Sequence, residues 1–582
     1  MTKIFYFVVG LTFFVCHIVV ASESGRWCAE SAGAQGDGLF DNTPVLQKLL
    51  DEAGQAGGGI VCLPAGRFCV RGNLVIPAGV TLEGTFRVPP NMNTINEPVT
   101  GTILQAYAGR GRPDEAGFIR LAGDNSCVRG LIIVYPEQDQ QTLPPVAYPP
   151  TIESSQTSNV GVIDCCLLNS YEGIRFIFAA RHLVRNVTGY PIKRGLFVDQ
   201  CYDIGHIENI HFWPFGLVYK PEDPYCKWIN VNGVAFEFAR TDWHYVSNTF
   251  CFGYGVGYKF SDKGSGATNG NFLGIGADSC RRAVLVEGAQ APGLLITNGE
   301  FVGRWTSTDS ICLEVPRESS GVVSLNNCAF WGPVTTMIRV DAPKAQVTVN
   351  ACNFVNWDNA GQGQPALAIN AGKIIVQGCT FQQSGIHALV GKETRSAIFS
   401  GNQAEGGFNV LGNLKHVLCS ANEPSPFASP EAIEHYRIRL GTSIDAACLV
   451  NWYGREEENA LPYRWSSGSS GLLLPVALHK PYTVELACDI PTAIAEAEAP
   501  CLYLNDAPLA VVDRNATTVV FSLPAQETSP VLLTLRTATW QPRETIPGSD
   551  DVRTLGVRGR VVTVKAEGSS DSCFEYETEN EN

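Results

Sequence analysis

Residues 311–381 read ICLEVPRESSGVVSLNNCAFWGPVTTMIRVDAPKAQVTVNACNFVNWDNAGQGQPALAINAGKIIVQGCTF. A short strand opens after a turn, a second strand follows that ends near Asn-x-Cys-x-Phe, and the unit then recurs as LNNCAF, VNACNF and VQGCTF. Self-similarity at this period predicts a solenoid, in which each coil stacks on its neighbours and only the whole pile buries a core. Working outward, the opening strands are GIRFIF at 173, GLFVD at 195, GVAFEF at 233, GVGYKF at 255, AVLVEG at 283, ICLEV at 311, MIRVDA at 337, ALAINA at 366 and ALVGKE at 388, mostly 22 to 30 residues apart. The 38-residue step from 195 to 233 contains FGLVYKPEDPYCKW, too polar and Pro-rich for a strand, and is expected to leave the solenoid as a loop.

Two columns of the repeat are expected inside. Cys328, Cys352 and Cys379 read as stacked, buried thiols, and Phe212, Phe252, Phe301, Phe330, Phe354 and Phe381 read as an internal aromatic stack rather than a sugar platform. With 20 cysteines in all and one of them, Cys16, in the N-terminal apolar stretch, 19 remain. No CxxC pair of metal spacing occurs, so neither a closed disulfide framework nor a cysteine metal site is forced.

The composition fits the repeat. Of 582 residues, 45% are hydrophobic and 17% charged, with 58 Gly and 34 Pro, which favours short strands joined by turns. The formal charge of −15 excludes nucleic acid as a partner, since phosphate binding needs clustered Lys and Arg. Residues 1–21 read as a secretory signal with Lys3 ahead of an apolar run and Val19-Val20-Ala21 as the cleavage site, a better reading than a lipoprotein at Cys16. The expectation is a secreted or periplasmic protein with no membrane span after cleavage. Asn186-Val187-Thr188 and Asn515-Ala516-Thr517 are glycosylation sequons in a eukaryotic host.

Ahead of the repeat, residues 36–84 predict a helix capped by Asn42 or Thr43, with Pro44 in its first turn, Val45, Leu46, Leu49 and Leu50 on one face, and Gly54 at its end. It would plug the solenoid and protect its first strand edge. The ordered elements Gly36-Asp37-Gly38, Asp41-x-Thr43, Gln47, Gly57-Gly58-Gly59, Leu63-Pro64-x-Gly66 and Gly79-Val80-Thr81-Leu82-x-Gly84 resemble the N-terminal signature of pectate-lyase-superfamily β-helices, including the rhamnogalacturonase and epimerase-like group. The resemblance implies a right-handed parallel β-helix over residues 22–424. It leaves the activity open among hydrolases, lyases, epimerases and phage tailspikes. At Glu423-Pro424-Ser425-Pro426 the pattern gives way to a linker, and residues 430–582 alternate as an antiparallel β-sandwich similar to modules found beside carbohydrate-active enzymes. Its Trp452, Trp465 and Trp540 read first as core or hinge aromatics.

Alternation within GVAFEF turns Phe236 and Phe238 in and Glu237 out. Applied to every opening strand, the outward position reads Ile177, Asp199, Glu237, Lys259, Glu287, Glu314, Asp341, Asn370 and Lys392. Rungs about 4.8 Å apart would make Asp199, Glu237, Lys259 and Glu287 a ladder of ionisable groups, either a catalytic surface or a solvated structural face. As a glycoside hydrolase, Asp199 and Glu237 would be the carboxyl pair at about 5 Å, or Glu237 and Glu287 at about 10 Å. As a polysaccharide lyase, Ca²⁺ would sit between Asp199 and Glu237 with Lys259 as the base. Beside the ladder, YDIGHIENIHFWPFG (202–216) and RTDWHYVSNTFCFGYG (240–255) carry the mixture a sugar cleft needs. Its expected substrate contacts are His206, His211, Trp213, Arg240, Asp242, Trp243 and His244. The leading expectation is an exported enzyme degrading a pectin-like or other extracellular glycan; the rival is a non-catalytic glycan-binding or adhesion protein.

Overall fold

The structure is a computed structural model, and it describes residues 25–86, 101–305, 307–423, 434–442, 445–494, 500–570 and 572–576. The signal segment and the Pro424–Pro426 linker lie outside the described residues. From Arg26 to Ser420 the chain winds as a right-handed parallel β-helix. Three parallel faces run its length: the first from Leu74–Ile76 to Val410–Gly412, the second from Arg26–Cys28 to Val417–Ser420, the third from Asp37–Asp41 to Gln403–Ala404. No coil closes a core alone; the core is one continuous column from Ala29 to Phe408.

The bend between the second and third faces takes one left-handed residue per coil. Asp164, Asn186, Asn209, Asn248, Asn298 and Asn327 stand there at φ of 52 to 56°, a conformation that Asn and Asp tolerate because their short polar side chains bond locally. Asn209 donates to Asn186 at 2.8 Å and Asn327 to Asn298 at 2.8 Å, so the bend is also an amide ladder. Immediately beyond it, Phe330, Phe354 and Phe381 stack at 4.9 and 4.6 Å with planes within 10°. Cys328, Cys352 and Cys379 are buried beside them as free thiols. Phe252 corrects the expected stack. Phe212 pairs with Cys251, not Phe252, so Cys251 takes the inward place and Phe252 faces out onto Trp213 at 4.6 Å.

The capping helix spans Thr43–Gln55, one residue past Gly54, and buries Leu46, Leu49, Leu50 and Ala53 over the strands of the first coils. Its N-terminus is capped differently from the expectation. Asn42 holds the N-cap position, but its side-chain Oδ1 accepts from Gln35 N–H; Asp41 Oδ1 takes the Thr43 N–H instead. The Pro-rich insertion also differs, since it folds into a helix, Pro224–Asn232, whose N-cap Asp223 accepts from the Tyr225 and Cys226 N–H groups. At the other end a mostly antiparallel sandwich builds its own core around Trp452, Tyr436, Leu486 and Val562. Trp452 is buried, its indole N–H donating to Gly471 O at 2.9 Å. Leu473 of the sandwich packs with Ile386 and Leu411 of the last coils. Among the described residues no helix is long and apolar enough to cross a membrane.

Candidate functional site

The first face carries the predicted ladder in a different register. Strand Arg194–Asp199 pairs with Val234–Phe238 so that Phe197, not Asp199, lies beside Glu237; Glu237 lies beside Lys259, and Lys259 beside Leu285. The opening glycines do not align, because Leu196 pairs with Phe236 and Tyr258 with Val284. One predicted column is therefore two. Glu237, Lys259 and Glu314 stand in one, and Asp199, Glu287 and Asp341 lie two residues further along, about 7 Å away.

Each of these groups is already engaged. Glu237, only 4% exposed, takes Arg194 Nη1 at 2.9 Å, Lys263 Nζ at 2.9 Å and Ser261 Oγ at 3.0 Å. Burial raises its carboxyl, but the hydrogen bonds from Lys263 and Arg194 outweigh burial and leave it below the usual carboxylate range. Arg194 also binds Glu172, Arg175 binds Glu153 at 3.2 Å, and Lys259 binds Glu287 at 3.0 Å. Asp199 is buried, its Oδ1 accepting from the Gln200 and Arg240 N–H groups at 2.8 and 3.0 Å. Asp199 and Glu237 do not fit a shared Ca²⁺. They stand in separate columns, and both Glu237 oxygens and Asp199 Oδ1 already accept from cations, a hydroxyl and N–H donors.

The expected sugar contacts divide among three places. Arg240 and Asp242 form a 2.9 Å ion pair at the bend between the first and second faces, and Gln290 donates to Asp242 at 2.7 Å. Trp243 projects from the same bend, 65% exposed. On the second face His206 stacks on Tyr245 at 5.4 Å. On the third, His211 meets Phe250 edge-on at 5.3 Å, and Trp213 lies on Phe252. His244 corrects the expectation, because it is fully buried. A β-bulge between Thr241 and His244, with Trp243 at φ 57°, reverses the alternation so that Trp243 points out and His244 in. There it faces His182 at 5.1 Å.

A further pair of carboxylates, absent from the expected set, shares a groove. At the bend leading onto the third face, a cavity of about 360 Å³ is lined by Asn248, Phe250, Asp278, Asn298, Glu300 and Trp331 above a floor that includes Gly274 and Gly276. Glycine leaves the floor low: a Cβ on Gly276 would stand 3.0 Å from the Phe250 ring. Glu300 is exposed and accepts the Trp331 indole N–H at 3.0 Å. Asp278 is half-buried. Burial raises its carboxyl above the ordinary range, the Ser279 N–H opposes this, and the nearby charge of Glu300 adds to the rise. His211, Trp213 and Phe252 continue the wall on the preceding coils. The sequence held a signal for Glu300: it occupies the repeat position of Ala329, Asn353 and Thr380, a charge where the other coils carry none. A larger cavity, about 410 Å³, lies between the last coil and the sandwich. Its lining has one carboxylate, Glu423, whose Oε2 accepts the Ala404 N–H, so it offers no acid–base pair.

No family model matches the sequence. The mannuronan C5-epimerases AlgE3 and AlgE1 of Azotobacter vinelandii are 36% and 35% identical to the chain over 98 residues, 15% of this chain and 5% and 7% of theirs. The chain thus matches only a small part of the length of those relatives. Among solved structures, the A-module of the Azotobacter vinelandii epimerase AlgE6 aligns at 14% identity and a TM-score of 0.42, covering 69% of this chain and 99% of that one. The tailspike of Escherichia coli bacteriophage HK620, as a double mutant, aligns at 9% identity and 0.42, covering 93% and 94%. The surface adhesin PfbA of Streptococcus pneumoniae aligns at 13% and 0.39, covering 69% and 92%. The fold of this chain, a right-handed parallel β-helix, stands on its own strand pairing.

Proposed function

We propose that the chain is an extracellular polysaccharide hydrolase whose cleft is the third-face groove. The observation that carries this reading is the convergence of two carboxyls of unlike environment, half-buried Asp278 and exposed Glu300, on a glycine-floored groove with aromatic walls. Aromatic faces stack on sugar rings, and a raised carboxyl keeps a proton to give. In the reaction the glycosidic C–O bond breaks, and the leaving oxygen takes the Asp278 proton. Water joins the anomeric carbon and gives its proton to Glu300. No Lys or Arg lines the groove, which favours a neutral stretch of glycan over a polyuronate. The likeness to polyuronate epimerases over 98 residues supports a glycan as the partner; it does not bear on the reaction. On this reading the first-face network of Glu172, Arg194, Glu237 and Lys263 stiffens the scaffold, and Asp199, Glu237, Lys259 and Glu287 are not reacting groups.

The test is turnover of purified neutral and uronate polysaccharides by the full chain. New reducing ends without unsaturated uronates are expected, with kcat lowered about 10²- to 10⁴-fold in Asp278→Asn and Glu300→Gln and retained in Glu237→Gln. Activity lost in Glu237→Gln and Asp199→Asn but kept in Asp278→Asn would return the chemistry to the first face. Unsaturated products would make the protein a lyase, and polymer of unchanged length with altered uronate stereochemistry an epimerase. Binding without turnover on any glycan would make it an adhesin.

A further inference from the structure

Inside the solenoid, where the first face turns into the second, three successive coils place His182, Gly205 and His244 on one inward column: His206 N–H bonds His182 O, and Tyr245 N–H bonds Gly205 O. Glycine in the middle leaves a gap one side chain deep. A Cβ on Gly205 would stand 2.4 Å from His182 Nε2 and 2.3 Å from His244 Cε1, so both imidazoles lean into that space. Cys201 lies beside them, its Sγ 3.9 Å from His182 Nδ1. A ring nitrogen from each histidine and the Cys201 sulfur lie within 4.8 Å of one another, and all three residues are completely buried. Among the described residues this is the one group of three or more His, Cys, Asp or Glu close enough to share an ion.

The hydrogen bonding leaves this cluster incomplete. His182 Nδ1 lies 2.8 Å from Ala179 O, which makes Nδ1 the donor and leaves the Nε2 lone pair aimed into the gap with no partner. Both His244 nitrogens lack a partner as well. Buried polar atoms are ordinarily satisfied, and three orphaned nitrogens on two rings that meet at one gap need a cause. A histidine that donates one N–H to a backbone carbonyl while presenting its other nitrogen to a shared space has the arrangement of a metal ligand.

We propose that His182, Cys201 and His244 form a buried site for a thiophilic d¹⁰ metal ion, Cu⁺. Soft thiolate and imidazole donors select such ions. Two neutral imidazoles and one thiolate cancel a single positive charge, so the occupied site is neutral among the apolar rings of Phe176 and Phe238, 5.1 and 5.4 Å from the two histidines. Zn²⁺ would leave a net positive charge in that core and lack the fourth ligand it takes in structural sites. On binding, the Cys201 thiol gives its proton to solvent, sulfur and nitrogen lone pairs form the three bonds, and the metal keeps its oxidation state. The site faces the core and is separate from the groove.

The test uses the full chain, reduced and anaerobic, titrated with Cu⁺ supplied as its complex with a coloured chelator, followed by copper X-ray absorption. One tightly held equivalent with a shell of two imidazole nitrogens and one sulfur is expected. Folded Cys201→Ser should bind roughly 100-fold or more weakly, whereas Cys352→Ser, in the other thiol column, should bind as the wild type does. An all-sulfur shell, loss of binding in Cys352→Ser, or no equivalent held against the chelator would overturn the proposal. Zn²⁺ held in the same shell with Cu⁺ refused would overturn the choice of ion. The wild-type absorption spectrum decides the matter even if Cys201→Ser does not fold.

Discussion

The coils at 311–404 and those at 172–300 have the same three-faced plan and use it differently. In the later coils two inward positions repeat over three coils: Phe over Phe over Phe, thiol over thiol over thiol. In the earlier ones an insertion becomes a helix and glycines stand where the repeat has side chains, and bulges interrupt the second and third faces, as they also interrupt one strand pair of the later coils between Ile369 and Lys373. Trp213, Trp243, Asp278 and Glu300 reach solvent there. Periodic coils provide rigidity; the proposed cleft lies where the period is broken.

Substitutions can break that contrast. The largest effect is expected from Phe354→Ala, which opens a hole in the middle of an aromatic stack and should cost about 3–5 kcal/mol in urea unfolding. A loss under about 1 kcal/mol would mean that the later coils are not the rigid half. Glu237→Gln, in the earlier coils, should cost about 2 kcal/mol at neutral pH by stranding Lys263 and weakening the hold on Arg194. The folded carboxyl is depressed, so its contribution is present above the unfolded value and disappears as pH falls through the folded one. Wild type and variant should therefore converge in acid, and a gap that persists once the folded carboxyl is protonated would exclude the ion pairs as its source.

A smaller effect separates two kinds of buried histidine. His387, in the later coils, is satisfied on both nitrogens, accepting from Asn409 N–H at 2.9 Å and donating to Gln383 O at 3.2 Å. Burial pushes its imidazole down to about 4, and the Gln383 carbonyl opposes this. In the metal-free protein burial likewise takes His182 to about 4, against the Ala179 carbonyl. Between the unfolded value of about 6.5 and about 4, the unfolded chain binds a proton that the native chain refuses. Stability should fall with pH across that window, by up to about 1.4 kcal/mol per unit for each histidine, and be complete above it. His387→Gln should flatten part of that slope, and an unchanged slope would acquit His387. The smallest effect is that of Trp243→Ala, within about 0.5 kcal/mol in stability because its ring is exposed.

The fold was legible because solenoid coils repeat in sequence as they repeat in space. The inward Phe and Cys positions of 311–381 and the capping helix could be read directly. Register was not, since hydrogen bonding between coils compares residues that the linear period misplaces by two, as with Asp199 and Phe197 beside Glu237. Bulges hid the parity of His244, whose neighbour Trp243 carries no mark of its left-handed backbone. The groove was missed for a different reason. Asp278 and Glu300 come from adjacent coils of the third face, whose strands are only three to five residues long there, too short for alternation to announce an outward pair.

Every bond between neighbouring coils points along the solenoid's long axis, because it joins one parallel strand to the next. Tension applied between the capped end and the sandwich would therefore be carried in series, coil by coil, like the teeth of a zip. Each released coil of about 25 residues would pay out on the order of 80 Å of chain, so a tethered molecule would lengthen in steps under load instead of snapping as a unit.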